Sequence, residues 1–221
     1  MSEFVVYAML LLEGAWVTAK IAVVASAVAV FVAFTAGILR CSPRFWVRAL
    51  PAAFVEIFRG TPCYVQLFWT FFALPLVGVS MSAFTVSVVV LGCNVGSYGS
   101  EVVRSALVGV PRGSIEAAVA LNYTPFQRFR HVVFPQALIT MLPPAGNLFI
   151  DLLKLTPLTS LITVSDLTYN ALIIRQQTGQ TAYALGALLL GYFLLSTLIV
   201  WIIRRLERRA SRGMDIGVQA A

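Results

Sequence analysis

Uncharged apolar runs, separated by short polar stretches rich in arginine, set the pattern of this chain. Residues 21–39 carry no charge, and the apolar pattern reaches back to about Trp16. Residues 60–100 are also uncharged, and these 41 residues are too many for one crossing of a bilayer. Pro75, Gly78, Ser80 and Ser82 divide them into a hairpin of two helices, about Cys63–Leu76 and about Ser82–Glu101. A fourth run covers Val132–Ile150, and a fifth covers Gln176–Ile203, helical from about Ala182. Between them Leu155–Ser165 is too short to span alone. With Thr156, Pro157, Thr159 and Ser160 it reads as an irregular continuation of the fourth helix. The pattern predicts one all-α integral membrane domain over residues 1–221, with spans at about 16–39, 55–76, 82–105, 132–155 and 182–203.

Composition agrees. Hydrophobic residues make up 59% of the 221 and charged residues 11%, against about a quarter in a soluble domain. Five spans place the termini on opposite sides, and the arginines choose which. Arg40, Arg44, Arg48, Arg59, Arg104, Arg112, Arg128, Arg130, Arg204, Arg205, Arg208, Arg209 and Arg212 fall on one side; Lys20, Lys154 and Arg175 are the most the other can have. The positive-inside rule then puts the N-terminus outside and the C-terminus in the cytoplasm. The net charge of +7 follows from this topology and gives no reason to expect nucleic-acid binding. Arg204–Arg212 suits contact with anionic lipid. Cys41, Cys63 and Cys93 lack metal-ligand spacing and read as free thiols. With Glu3 and Glu13 first and no basic n-region, a cleaved signal peptide is not expected.

The polar loop at about 109–131 is built as a compact knob. Ser114 is a candidate N-cap for a short helix over Ile115–Leu121, and Asn122 can end it in the left-handed conformation. Thr124-Pro125 starts a second short helix.

At this loop the chain resembles the permease subunits of bacterial ABC importers. Their EAA pattern is Glu-Ala-Ala, three residues, Gly, nine residues, Ile, one residue, Leu-Pro. Here Glu116, Ala117, Ala118, Asn122, Val132, Phe134 and Pro135 keep that spacing, with Asn for Gly, Val for Ile and Phe for Leu. Phe58-Arg59-Gly60-Thr61-Pro62, Val110-Pro111-Arg112-Gly113, Phe134-Pro135-Gln136-Ala137 and Leu152-Leu153-Lys154-Leu155-Thr156-Pro157 look like the polar amino acid uptake branch, over about residues 10–210. The resemblance implies a type I importer permease fold in the bacterial inner membrane. It also implies a loop docked on an ATPase through Ser114, Glu116, Ala117, Ala118, Leu121, Asn122, Phe126 and Arg128, with Glu116 meeting a basic residue there. The implied partners are two ABC ATPase subunits that carry the ATP and magnesium, a second permease subunit, identical or homologous, and an extracytoplasmic solute-binding protein. Val65-Gln66-Leu67-Phe68-Trp69, Asn94-Val95-Gly96-Ser97-Tyr98-Gly99 and Ala120-Leu121-Asn122 look more like the ectoine/hydroxyectoine permeases of that branch. Ectoine, a zwitterion with a delocalised cation, and a polar amino acid both remain open as substrate.

Polar residues also recur at membrane depth. Asn94, Ser97, Tyr98, Glu101 and Arg104 repeat at three and four residues in the third helix, and Asn147, Asp151 and Lys154 in the fourth. Each intramembrane charge costs roughly 2.5–3.5 kcal/mol on insertion scales, so both stripes are expected in the bundle interior. They either line a route for a polar solute or form ion pairs that hold helices together. Gly92 and Gly96 have GxxxG spacing, which suits close helix packing within a subunit or between two. Phe68, Trp69, Phe71 and Phe72 read as a lipid-facing or core cluster, though an aromatic face also attracts a cation.

Chemistry is not expected of this chain. No GxxxxGK[ST], HExxH or GxSxG occurs, and His131 is the only histidine. No metal or cofactor is expected on it. A channel or scaffold without an ATPase is the alternative function, and the loop speaks against it.

Overall fold

The computed structural model describes the backbone of residues 3–212 and the side chains of residues 5–205, so the side chains of Arg208, Arg209 and Arg212 lie outside it. The first helix, α1, runs Glu3–Arg40 and begins well before Trp16. At 1.5 Å per residue its 38 residues exceed the ~30 Å hydrocarbon layer. Its early turns pack on a later helix, Leu10 O accepting from Asn170 and Thr18 from the Leu167 N–H.

The second expected span divides in two. α2 covers Phe45–Gly60 and α3 covers Cys63–Phe68, extended by a π-turn at Trp69–Ala73 and a 3₁₀ turn at Leu74–Val77. The two arms meet at 105° instead of forming one rod over 55–76. Pro62 forces Thr61 into extended backbone, which ends α2. Side chains satisfy the carbonyls this exposes: Gln66 Nε2 donates to Phe58 O (2.9 Å) and to Thr61 O (3.1 Å). Gly78 closes the 3₁₀ turn at φ +88°, and the Ser82 side chain caps α4, Ala83–Val108, as the hairpin signal predicts.

After α4 come two short helices, α5 (Arg112–Ala120) and α6 (Pro125–Arg128). A π-turn at Phe129–Val133 leads into α7, Phe134–Leu155. The stretch expected to be irregular is a 3₁₀ helix, Thr156–Ile162. A short helix that the hydropathy pattern does not signal follows, α8 at Leu167–Thr178, and then α9 at Thr181–Arg212. Among the described residues four helices are long and apolar enough to cross a membrane. The bent α2–α3 pair makes a fifth if it counts as one span.

α4 sits at the centre, packed between α1 and α7. Glycine decides the first contact. A Cβ on Gly92 would lie 2.7 Å from Val28 Cβ, and one on Gly96 2.8 Å from Val32 Cβ and 2.9 Å from Ala29 O. Gly37 on α1 meets Val103 in the same way. The GxxxG spacing thus serves packing inside the subunit.

Candidate functional site

The loop between α4 and α7 forms a knob at one end of the bundle. α5 starts at Arg112, with Pro111 in the cap position, so Ser114 lies within the first turn and is not the N-cap. Proline's fixed extended geometry sets the entry three residues earlier than the Ser114 cap would. The other end follows expectation. Asn122 is left-handed at φ 58°, its N–H donates to Val119 O, and the Tyr123 N–H donates to Ala118 O. These two bonds make a Schellman motif, which Asn supports in place of Gly. Thr124 and Gln127 complete a capping box on α6.

Ala118 is only 2% exposed and faces the chain itself, near Ile115 on the Val103–Ala106–Ala137–Met141 cluster. Ser114 is half-buried; Glu116, Ala117, Leu121 and Asn122 face outward. Phe126 is exposed and Arg128 half-buried beside them. The free surface of the knob includes Glu116, Val119 and Leu121 on α5 and Phe126 on α6, with Leu121 and Phe126 both 68% exposed.

The two polar stripes separate. Asn94 is buried and donates to Phe58 O and to Gln66 Oε1, both at 3.2 Å, which ties α4 to the α2–α3 bend. Ser97 is fully buried and donates to Asn94 O. Tyr98 is 41% exposed and lies under the Arg59 guanidinium, 5.2 Å from its centroid. Glu101 accepts from both Arg40 and Arg104, the latter at 2.7 Å, and so joins α1 to α4. On α7 the stripe Asn147, Asp151 and Lys154 points away from the chain's own core, with Thr140 and Pro144 below it. Asp151 and Lys154 pair at 3.4 Å and stand 60% and 68% exposed. The expectation of two interior stripes fails for α7 within one chain, because Ala137, Met141, Gly146, Leu152 and Leu153 fill its inner face. Thr140, Pro144 and Glu101 share one open groove between α4 and α7.

A third polar cluster was not foreseen from sequence. At the end of the bundle remote from the knob, Asp166 is fully buried and caps α8, Oδ1 accepting from the Tyr169 N–H at 2.8 Å. Its Oδ2 makes no hydrogen bond. Burial is the main cause that pushes its carboxyl up to about 6. Around it Thr18 accepts from the Leu167 N–H, Tyr192 bonds Thr168, and Asn170 reaches Leu10 O of α1. Thr163 just before it is left-handed at φ 63°, rare for a β-branched residue. The sequence signals were faint: an Asp one residue before a helix, and Gly179 where that helix ends.

Residues 28–212 match the family described as binding-protein-dependent transport system inner membrane components. The chain belongs to this family. It is 38% identical over 208 residues to the probable amino-acid ABC transporter permease protein y4tF of Sinorhizobium fredii (strain NBRC 101917 / NGR234), covering 90% of this chain and 87% of that one. It is 34% identical to the glutamine transport system permease protein GlnP of Escherichia coli (strain K12), covering 90% and 92%. One chain in a crystal structure of an amino acid ABC transporter with histidines superposes with a TM-score of 0.86 at 30% identity, over 94% of this chain and 97% of that one. The fold is the all-helical type I ABC importer permease fold, and the protein is a multi-pass permease component of the inner membrane. Members of this family work with ATPase subunits and a substrate-binding protein, so the alternative of a channel without an ATPase is not favoured.

Proposed function

We propose that this permease forms the translocation pathway of an ATP-driven importer for a polar amino acid and couples to its ATPases through the 109–131 knob. It has five spans, counting the bent α2–α3 pair as one, with the N-terminus outside and the C-terminus in the cytoplasm. The observation that carries the coupling is the knob itself: exposed Glu116 and Leu121 on α5, which the Asn122 turn closes at its C-terminal end, and exposed Phe126 on α6, which Thr124 and Gln127 cap. Closure of two ATPases on ATP would pull on this knob and move α4 and α7, which it joins. The pathway runs along Tyr98, Glu101, Asn147, Asp151 and Lys154, with a second permease subunit, identical or homologous, closing the opposite wall. Asn94 and Ser97 support the wall from behind. An extracytoplasmic binding protein delivers the solute. The names of the relatives support the amino acid reading. An ectoine-type zwitterion is a second reading, favoured by the Asn94–Gly99 and Ala120–Asn122 stretches.

The test is co-expression with the neighbouring operon products, purification in detergent, and uptake of radiolabelled glutamine, histidine and ectoine into vesicles. Glu116→Arg should keep insertion and lose at least tenfold of uptake, because it opposes like charges at the docking contact. Normal uptake by that variant sinks the coupling role. A reporter at the C-terminus that reads external overturns the orientation.

A further inference from the structure

The outer side of α2 serves none of these roles. α1 and α2 diverge to leave a groove of about 460 Å³, walled by Phe31, Thr35, Leu39, Leu50, Pro51 and Phe54 with no charged residue. It opens outward, with Phe31 72% and Leu50 78% exposed. Its walls offer one hydroxyl, from Thr35, where the α4–α7 face offers a tyrosine, an amide and two carboxylates. A polar solute gains little there, and a hydrocarbon chain fits. At the end of the groove nearest the coupling knob, Arg44 stands one turn before Val47 and Arg48 one turn before Pro51, both exposed. Among the described residues neither pairs with a carboxylate. Glu101 is taken by Arg40 and Arg104, and Glu56 lies two turns further along α2. Phe45 and Trp46, 61% and 80% exposed, flank the arginines as headgroup-level aromatics do.

We propose that this groove binds one anionic phospholipid of the cytoplasmic leaflet, an acyl chain between α1 and α2 and the phosphate held by Arg44 and Arg48. Basic clefts between spans on the cytoplasmic side have the charge and shape for such headgroups. The choice of leaflet rests on the orientation proposed above; the groove and its two arginines do not.

The purified permease–ATPase complex, in nanodiscs of phosphatidylglycerol, of phosphatidylcholine or of both, is read by native mass spectrometry after release. One phosphatidylglycerol per chain should survive, favoured about 30-fold over phosphatidylcholine, the factor expected of two interfacial arginines. Arg44→Ala with Arg48→Ala should erase the preference, and the double lysine variant should keep most of it. Thr35→Trp, which fills the groove, should release the lipid in either disc. Equal retention of the two lipids by the wild type overturns the proposal, as does unchanged retention in the double alanine variant. So does a photoreactive residue at position 35 that captures a second copy of the chain instead of lipid. Co-purification of the ATPase confirms that each variant folds. Trp46→Cys, with Cys41, Cys63 and Cys93 replaced by serine, checks the side: labelling from outside only overturns the orientation and the leaflet, whatever lipid is retained.

Discussion

Asp166→Asn tests the buried cluster directly. The carboxylate is fully buried with Oδ2 unpartnered, so the folded chain favours its protonated form and its pKa rises from 3.8 to about 6. Folding then binds a proton between those values, and stability falls as pH rises through them. Two units at 1.36 kcal/mol each make about 3 kcal/mol, fully present below the unfolded value and gone above the folded one. Between pH 5 and pH 8 the same linkage leaves about 1.4 kcal/mol. For a domain this long that is roughly 3–6 °C of melting temperature. Asparagine keeps the cap, since its Oδ1 still accepts from the Tyr169 N–H. Its amide has no charge to desolvate. The assay is thermal unfolding of the detergent-purified complex from pH 5 to pH 8, wild type minus variant. The expected wild type-minus-variant difference falls by roughly 3–6 °C from pH 5 to pH 8. A difference that stays flat across that range refutes the reasoning.

Gly96→Ala should destabilise the subunit by about 1–3 kcal/mol, because its Cβ would press on Val32 and on the Ala29 carbonyl of α1; an unchanged melting temperature shows that α1 can move aside freely. Asp151→Ala and Lys154→Ala should each reduce uptake severalfold while ATPase co-purification stays at wild-type level. Unchanged uptake in both removes them from the pathway and leaves a surface ion pair 3.4 Å long. Glu101→Gln should leave Arg40 and Arg104 facing each other without a counter-ion and lower stability by about 1–2 kcal/mol, discounted because Glu101 is a third exposed.

The parts of the fold legible from sequence were those set by local chemistry. Gly78 and Ser82 close one helix and open the next at the expected residues, and Asn122 takes the left-handed turn its spacing demanded. What hydropathy could not reveal was direction. Cys63–Leu76 reads as apolar whether it continues α2 or leaves it at 105°, and only the Thr61–Pro62 geometry, rescued by Gln66 and Asn94, decides. α8 escaped notice for the opposite reason. Tyr169, Asn170, Gln176 and Gln177 make it too polar for a span, and its partners Gly14 and Thr18 lie about 150 residues earlier.

Helical spacing put the polar residues of α4 and of α7 on one stripe each but could not say which face of α4 or α7 was already taken. Asn94 and Ser97 are consumed inside the subunit, Asn94 by the Phe58 carbonyl at the α2–α3 bend and Ser97 by the Asn94 carbonyl of its own helix. Asn147, Asp151 and Lys154 are left bare, with the apolar half of α7 turned inward. An isolated chain would show this pair of charges to lipid, at a few kcal/mol each. The α1–α2 groove, by contrast, shows lipid hydrocarbon and a single hydroxyl, that of Thr35. One bare face is therefore compatible with the bilayer and the other is not. That asymmetry is the physical reason to expect α7 to be covered by a second permease subunit and water, while α1 and α2 face the membrane.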